Sequence, residues 1–173
     1  MDSKYTPTTE NLPDDERAAL WKKIADIKFA MVTTTEDDGK LTARPLTTQK
    51  IEDGGILWFF VAADGHVAKA VAREPSVGVT YAEPGDSFYA ALCGNATCKR
   101  DVAKARELWN AMAGAWFPGG PEDPNLALLR IDVDTGDTWE AKSGKLVQFL
   151  TIAKAAITRH PPDDAGSHRH FVA

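Results

Sequence analysis

The sequence is poor in cysteine and in long apolar runs, and both absences limit what it can be. Its two cysteines, Cys93 and Cys98, lie five residues apart on one predicted strand, so their side chains take opposite faces and a bridge between them is not expected. Two free thiols fit a reducing cytoplasm. No run approaches the roughly 18 apolar residues of a membrane span, and the polar N-terminal residues contain no apolar signal-peptide core. We therefore expect a cytoplasmic protein with no membrane association.

Signatures of several enzyme and nucleic-acid-binding classes are also missing. The net charge is -5, so no overall basic field favours nucleic acid. There is no P-loop, no G-x-G-x-x-G, no G-x-S-x-G elbow and no Cys-His signature. Two histidines near the C-terminus, His168 and His170, could bind a metal weakly, but a loose terminal segment is the favoured interpretation. The sequence thus predicts no nucleic-acid partner and no metal site, and it identifies no catalytic residue.

The most informative stretch is residues 31–61, in which three β-rich runs are separated by D-D-G at 37–39 and D-G-G at 53–55. Asp-Gly between such runs predicts a hairpin because glycine tolerates positive φ, so we expect a three-stranded antiparallel meander. The middle strand carries Arg44, followed directly by Pro45. Arginine offers a planar fork of donors to phosphate or carboxylate. Proline cannot donate to a sheet ladder, so it predicts an edge, a bulge or a ligand at this point.

Periodicity and turn residues predict the other elements. Helices are expected over about 13–27, 66–73 and 101–115, with a last one from 143; further strands are expected over 77–82, 87–97 and 126–133, the last resuming at 138–141. The expected fold is mainly β (α+β): a six-stranded antiparallel barrel with N-terminal, crossover and C-terminal helices. The expected organisation is a flexible arm, one domain and a C-terminal tail, over 1–11, 12–158 and 159–173.

Four places carry candidate binding residues, and each has a structural alternative. Arg44 is either a surface or interface arginine or an anion clamp. The aromatic run 58–60 supplies either core side chains or an apolar wall for a planar ligand, with its first and third rings on one strand face and its second on the other. Trp116 either staples its Pro/Gly-rich loop to the barrel or belongs to a lid, and the same two interpretations apply to Trp139.

Several short motifs occur together in this chain: M-V-T-T-T…D-G-K…A-R-P-L, L-W-F-F, E-P-S-V-G-V-T-Y, G-N-A, A-W-F-P-G-G-P-E-D-P and T-W-E. Over about residues 12–145 the combination resembles the general stress protein branch of the pyridoxamine 5'-phosphate oxidase-like flavin proteins. The A-R-P and A-W-F-P-G…D-P elements are specific to that branch. The resemblance implies a split β-barrel, a homodimer, and FMN, or alternatively FAD, in clefts between the two subunits.

The resemblance also implies cofactor-binding positions. Arg44 matches an arginine near the flavin phosphate, and Pro45 and Leu46 match residues whose backbone runs beside the isoalloxazine ring. The strand that lines the cofactor is matched by Trp58, Phe59 and Phe60. Two aromatic positions at the cleft, from which a side chain reaches the partner's flavin, are matched by Trp116 and Trp139.

One segment departs from the family pattern. When positions are counted back from E-P at 74–75, this chain has Gly65 and Val67 at two positions where the family usually has a serine and a lysine. In the family these two residues hold the phosphate. The free N–H groups of a helix start still favour an anion, His66 adds a donor, and Lys69 reaches in only if the register shifts. One lost charge-assisted contact costs about 1.5–3 kcal/mol, roughly one to two decades of affinity. The departure therefore predicts FMN binding that is weak or absent.

Two functional hypotheses follow. The first is a dimeric, stress-related flavin-binding protein or FMN-dependent oxidoreductase, in which the flavin carries the redox chemistry. The second is a cofactor-free dimeric binding or scaffold module on the same barrel, with a degenerate flavin site. True pyridoxamine 5'-phosphate oxidase activity is not expected, because the arginine- and histidine-bearing C-terminal strand segment of such enzymes is missing after T-W-E at 138–140.

Overall fold

The computed structural model describes residues 9–10, 12–52, 54–140 and 167–173. Its helices are α1 (Asp14–Ile27), α2 (His66–Arg73) and α3 (Val102–Leu108), with short 3-10 turns at Ala113–Ala115 and Gly120–Glu122. Its strands are β1 (Thr9–Glu10), β2 (Phe29–Thr35), β3 (Leu41–Glu52), β4 (Ile56–Ala62), β5 (Ser76–Glu83), β6 (Phe88–Lys99), β7 (Leu126–Glu140) and β8 (Ser167–Val172). None of the helices in these residues is long and apolar enough to cross a bilayer.

Six strands close into an antiparallel barrel in the order β7–β4–β3–β2–β5–β6, and β6 returns to β7. The predicted meander forms β2, β3 and β4, and its turn glycines Gly39 and Gly54 have φ angles of 79° and 81°. Alternate side chains of β4 enter the core, where Leu57 and Phe59 are fully buried. The predicted fold class, a six-stranded split barrel with added helices, is confirmed.

β6 changes its register at Gly94, where the sequence predicted a bulge or a close backbone approach. The pairing with β7 shifts between Cys93 and Gly94. A Cβ atom on Gly94 would lie 2.2 Å from the carbonyl oxygen of Asp132. The bulge therefore requires a residue without a side chain.

Replacing this glycine tests the close approach. We expect Gly94→Ala to lower the free energy of unfolding by about 1–3 kcal/mol, the usual cost of overpacking, because the obstructing atom is backbone. Gly78→Ala is the matched control on β5, since its Cβ would meet only the Cβ of Thr33 at an ordinary 3.7 Å. Urea unfolding measures both variants, and an equal loss in the two would contradict the packing argument.

The C-terminal residues differ from the expected tail. Ser167–Val172 forms β8, which pairs with the second half of β7, and Thr9–Glu10 pairs in parallel with β8. The expectations of a loose arm and a loose tail are therefore wrong for these two short segments. The expectation that no arginine- and histidine-bearing strand follows T-W-E is wrong as well, because Arg169 of β8 pairs with Thr138 and His168 pairs with Trp139. The reason is that the second half of β7 extends past β4 and leaves an edge for β8, whose Phe171 is fully buried. The helix predicted from residue 143 lies outside the described residues.

The helix predicted over 101–115 is also shorter than expected. Asp101 caps α3 as predicted, accepting from the backbone N–H of Lys104 at 2.9 Å, but α3 ends at Leu108. Two residues later, the Asn110 side-chain oxygen accepts from the backbone N–H groups of Met112 and Ala113, each at 3.1 Å. An asparagine that bonds to nearby backbone in this way competes with helix continuation. The chain consequently leaves the helix after Leu108 and continues through a turn into the 3-10 helix Ala113–Ala115.

Candidate functional site

The barrel opens where β3 and β4 separate. Residues 44–47 of β3 pair with β2, but the pairing of β3 with β4 begins only at Thr48. β4 pairs with β7 along its whole length, so beyond Phe59 only its β3 side is unpaired. A cavity of about 670 Å³ lies in the gap, within the usual range for small-molecule sites. Its walls come from residues 44–47, the end of β4 at 60–62, the start of α2 at 65–67 and the segment 112–117.

Pro45 stands on the open side of this gap. It pairs with Met31 of β2, and among the described residues no strand faces it from the β4 side. Of the three environments the sequence allowed, the structure therefore provides a locally unpaired strand edge, where a missing N–H costs no ladder hydrogen bond. Pro45 and its neighbour Leu46 both line the cavity.

Arg44 lies in the wall of the cavity. It is paired across the sheet with the fully buried Val32, so its side chain leaves β3 on the barrel-facing side. Nη2 donates to Glu36 Oε1 at 2.8 Å and Nη1 to Thr34 Oγ1 at 3.3 Å. The hydrogen bond from Arg44 lowers the pKa of Glu36 below its ordinary value. A guanidinium has five N–H donors, so donors remain for an anion in the cavity.

The start of α2 forms the wall beside Arg44. Gly65 and His66 line the cavity, and His66 is exposed. Val67 lines it too, but its side chain is 7% exposed and belongs to the barrel core, which explains an aliphatic residue at this position. Lys69 is exposed and does not line the cavity, so the structure does not bring it to the predicted phosphate position.

The aromatic run on β4 divides between three environments. Phe59 is fully buried inside the barrel. Phe60 lines the cavity, with its ring centroid 5.9 Å from that of Trp109 and 6.4 Å from that of Phe117. Trp58 shares the outer face with Phe60, as the alternation predicted, but it lies outside the cavity. Of the three predicted lining residues, only Phe60 is a wall residue.

Trp58 instead belongs to a surface charge cluster. Its Nε1 donates to Glu52 Oε2 at 3.0 Å, and the Lys104 ammonium lies 5.1 Å from its ring centroid. Lys104 also donates to Glu52 Oε1 at 2.7 Å. The hydrogen bonds from Lys104 and then Trp58 lower the pKa of Glu52 to about 2. This arrangement gives Trp58 a structural role.

The cluster predicts a pH dependence of stability. Because the pKa of Glu52 falls from 4.5 to about 2 on folding, the carboxylate stabilises the fold above pH 4.5, and this contribution is lost as the pH falls toward 2. We expect Glu52→Gln to be less stable than the parent near neutral pH, with the difference shrinking below pH 4.5. Urea unfolding of both proteins at several pH values measures it, and a difference that grows on acidification would contradict this account.

The segment after α3 supplies the outer wall. Phe117 is buried against the barrel, whereas Met112 and Trp116 are 56% and 79% exposed although they line the cavity. Trp116 is therefore positioned at the mouth rather than as a staple. Trp139 does not line the cavity: it is 41% exposed and stacks on His168, with 4.8 Å between the ring centroids.

Sequence reasoning missed several wall residues and one neighbour of Arg44. Phe29, Gln49 and Asn125 line the cavity but lay in no predicted motif, and Phe117 lay in the A-W-F-P motif without being named as a candidate. Glu36 lies just before the first turn of the meander, where a carboxylate is ordinary, and only its 2.8 Å contact with Arg44 gives it a role. Among the residues that the structure describes, no group of three or more metal-ligating side chains is placed to hold a metal ion.

Comparison with known proteins identifies the family to which this barrel and its cavity belong. The sequence profile described as "Pyridoxamine 5'-phosphate oxidase like" matches residues 15–163. The chain belongs to the pyridoxamine 5'-phosphate oxidase-like family. The match spans the barrel and every wall of the cavity, so the site lies entirely within the family's shared region.

Individual relatives place it in the general stress protein branch of the pyridoxamine 5'-phosphate oxidase-like family. A candidate general stress protein 26 of Jannaschia sp. has a TM-score of 0.71 and 28% identity, covering 93% of this chain and 100% of that chain. The general stress FMN/FAD binding protein of Xanthomonas citri has a TM-score of 0.66 and 31% identity, covering 76% of this chain and 93% of that chain. Protein bli-3 of Neurospora crassa is 24% identical over an alignment of 164 residues, and the match covers 85% of this chain and 78% of that protein.

Proposed function

We propose that this protein binds a flavin, FMN in the first place and FAD as the alternative, in the cavity between β3 and β4. The observation that carries the proposal is the composition of that cavity, whose wall contains a guanidinium and is otherwise largely apolar. A related protein of 31% identity is named for FMN/FAD binding, which supports the same ligand class. The bound flavin would supply redox chemistry.

The residues present fit the two ends of a flavin unequally. Pro45, Leu46 and Phe60 form apolar walls that suit a planar ring, since ligand sites are mostly apolar with a few polar groups that fix orientation. At the phosphate end, Arg44 offers its remaining donors and the first N–H groups of α2 are free of intrahelical partners. This end has a single guanidinium, already paired with Glu36, so we expect the ring to contribute more to affinity than the phosphate.

We further propose that two copies of the chain associate and complete the site. The side chains of Met112 and Trp116 at the cavity mouth are more than half exposed. Exposed apolar side chains grouped at a cavity mouth are typical of an interface. A partner subunit placed there would cover these residues and shield the ring from water. A bound flavin would carry the reactive atoms, and the side chains around it would bind and orient it. We place the protein in the cytoplasm, where its two free cysteines would stay reduced.

The test is direct. The purified protein is examined for a flavin absorption band, then titrated with FMN, FAD and riboflavin while flavin fluorescence is followed, and its mass is measured by light scattering. We expect saturable binding at one flavin per chain and a dimer mass. A matched variant, Trp116→Ser, should weaken both dimerisation and flavin binding without loss of thermal stability. Absence of saturable binding by all three flavins would overturn the proposal.

A second candidate function is a cofactor-free dimeric module on the same barrel. Two observations favour it: Val67, where the resemblance implies a lysine, packs into the core, and Arg44 is already paired with Glu36 at 2.8 Å. A dimer that binds none of the three flavins would select this candidate.

A further inference from the structure

We propose that Glu36 determines which charge the phosphate end of the cavity accepts, and that it suppresses a preference for a phosphate monoester. The inference rests on the proposed flavin function and deepens it, because it concerns the terminal group of the ligand. It starts from the position of Glu36, whose Oε1 accepts from Arg44 Nη2 at 2.8 Å.

The pair is held in one geometry by the sheet. Thr34 and Arg44 lie on adjacent strands, and Thr34 Oγ1, in a residue that is 1% exposed, accepts from Arg44 Nη1 at 3.3 Å. Glu36 follows two residues after Thr34, and its backbone N–H donates to the carbonyl oxygen of Lys40 across the hairpin. The carboxylate and the guanidinium are each only about a quarter exposed, at 27% and 28%. Glu36 is therefore a fixed neighbour of the guanidinium.

The charges at this end of the cavity nearly cancel. Arg44 contributes one positive charge and Glu36 one negative charge. Asp37, the acidic residue that follows Glu36 in the sequence, is paired with Arg73. Glu36 does not itself line the cavity but contacts Arg44, which does, and His66 at the start of α2 is the other titratable residue of the described walls. The hydrogen bond from Arg44 lowers the pKa of Glu36, so the carboxylate is ionised at neutral pH. A phosphate monoester carries about -1.5 to -2 charges at pH 7, and it would meet a site with no net positive charge from this pair.

The consequence is a measurable selectivity. A carboxylate a few ångströms from a phosphate in a partly buried site repels it by more than the ~1.4 kcal/mol that corresponds to a factor of ten. A neutral ribityl end suffers no such repulsion, and a carboxylate can accept hydrogen bonds from its hydroxyl groups. We therefore expect the parent protein to bind FMN and riboflavin with affinities that differ by less than about fivefold.

The experiment compares FMN and riboflavin on the parent, Glu36→Gln and a control of equal charge change, Glu16→Gln, on α1. Glu16 pairs with Arg169 and does not line the cavity. Glu36→Gln should tighten FMN binding at least about tenfold and change riboflavin binding less than about threefold, since the gain comes from charge alone. Glu16→Gln should change neither. Equal changes for the two ligands, or no change in Glu36→Gln, would overturn the inference while leaving flavin binding intact.

An arm without flavin separates this inference from the proposed function. Inorganic phosphate is titrated into the parent, Glu36→Gln and Glu36→Gln/Arg44→Ala while the melting temperature is followed. We expect phosphate to stabilise Glu36→Gln, with half-saturation at least about tenfold lower than for the parent, and the gain to vanish in the double variant. If no flavin binds but this gain is seen, the proposed function fails and the role of Glu36 stands. If phosphate does not stabilise Glu36→Gln, the role of Glu36 is refuted.

Discussion

Replacing Arg44 by alanine is expected to weaken FMN binding by one to two orders of magnitude and to leave riboflavin binding within about threefold of the parent. The lost guanidinium removes a charge-assisted contact worth about 1.5–3 kcal/mol. In the parent, the Glu36 carboxylate accepts a hydrogen bond from Arg44 at 2.8 Å. The substitution removes this cation and leaves the carboxylate unpaired by Arg44 at the proposed phosphate end. The variant should therefore bind riboflavin more tightly than FMN. Fluorescence titration with both ligands measures the change.

Two controls separate the position of Arg44 from its charge. Lys69→Ala removes an exposed cation from α2 that does not line the cavity, so FMN affinity should be unchanged. The double variant Arg44→Ala/Glu36→Gln should recover part of the affinity lost in Arg44→Ala, because residues in contact do not act additively. If Arg44→Ala and Lys69→Ala have the same effect on FMN, Arg44 does not belong to the phosphate end.

The part of the site that could be predicted from sequence consists of residues whose local chemistry is unusual. Asp-Gly turns require positive φ, so the meander could be placed from sequence alone, and its turn glycines have that conformation. A proline inside a strand pattern has few explanations, and Pro45 indeed lies where β3 has lost its β4 neighbour. Arg44 was placed beside it by simple adjacency. These features depend only on neighbouring residues in the sequence, so they can be predicted without knowledge of the fold.

The missed features depend on contacts between distant residues. Glu36 gains its role only when the hairpin brings it to Arg44, and nothing in its neighbourhood distinguishes it from a turn carboxylate. Trp58 and Phe60 share a strand face, as predicted, but whether a ring meets a cavity or a lysine depends on α3 and the segment after it. The end of α3 itself is decided by the Asn110 side chain, which bonds to Met112 N–H against a favourable apolar periodicity.

β8 is the clearest case of a long-range effect. Truncating its buried aromatic residue, Phe171, is expected to give the largest loss of stability. Phe171 is fully buried, opposite Gly136 of β7, and its ring meets Trp21 edge-on at a centroid distance of 5.9 Å. A Cβ on Gly136 would lie 2.6 Å from the ring, so the glycine makes room for it. Phe171→Ala should therefore lower the free energy of unfolding by about 3–5 kcal/mol.

For a chain of this size that loss corresponds to a fall in melting temperature of roughly 10 °C. Val172→Ala is the matched control, because its side chain is the next along β8 and is 41% exposed, and it should change the melting temperature by about 2 °C or less. Calorimetry measures both. Equal changes in melting temperature for the two variants would mean that β8 is not packed on the barrel through Phe171. A large difference would establish that six residues near the end of the chain, polar in composition except for one aromatic ring and a valine, close the edge that the long β7 strand leaves open.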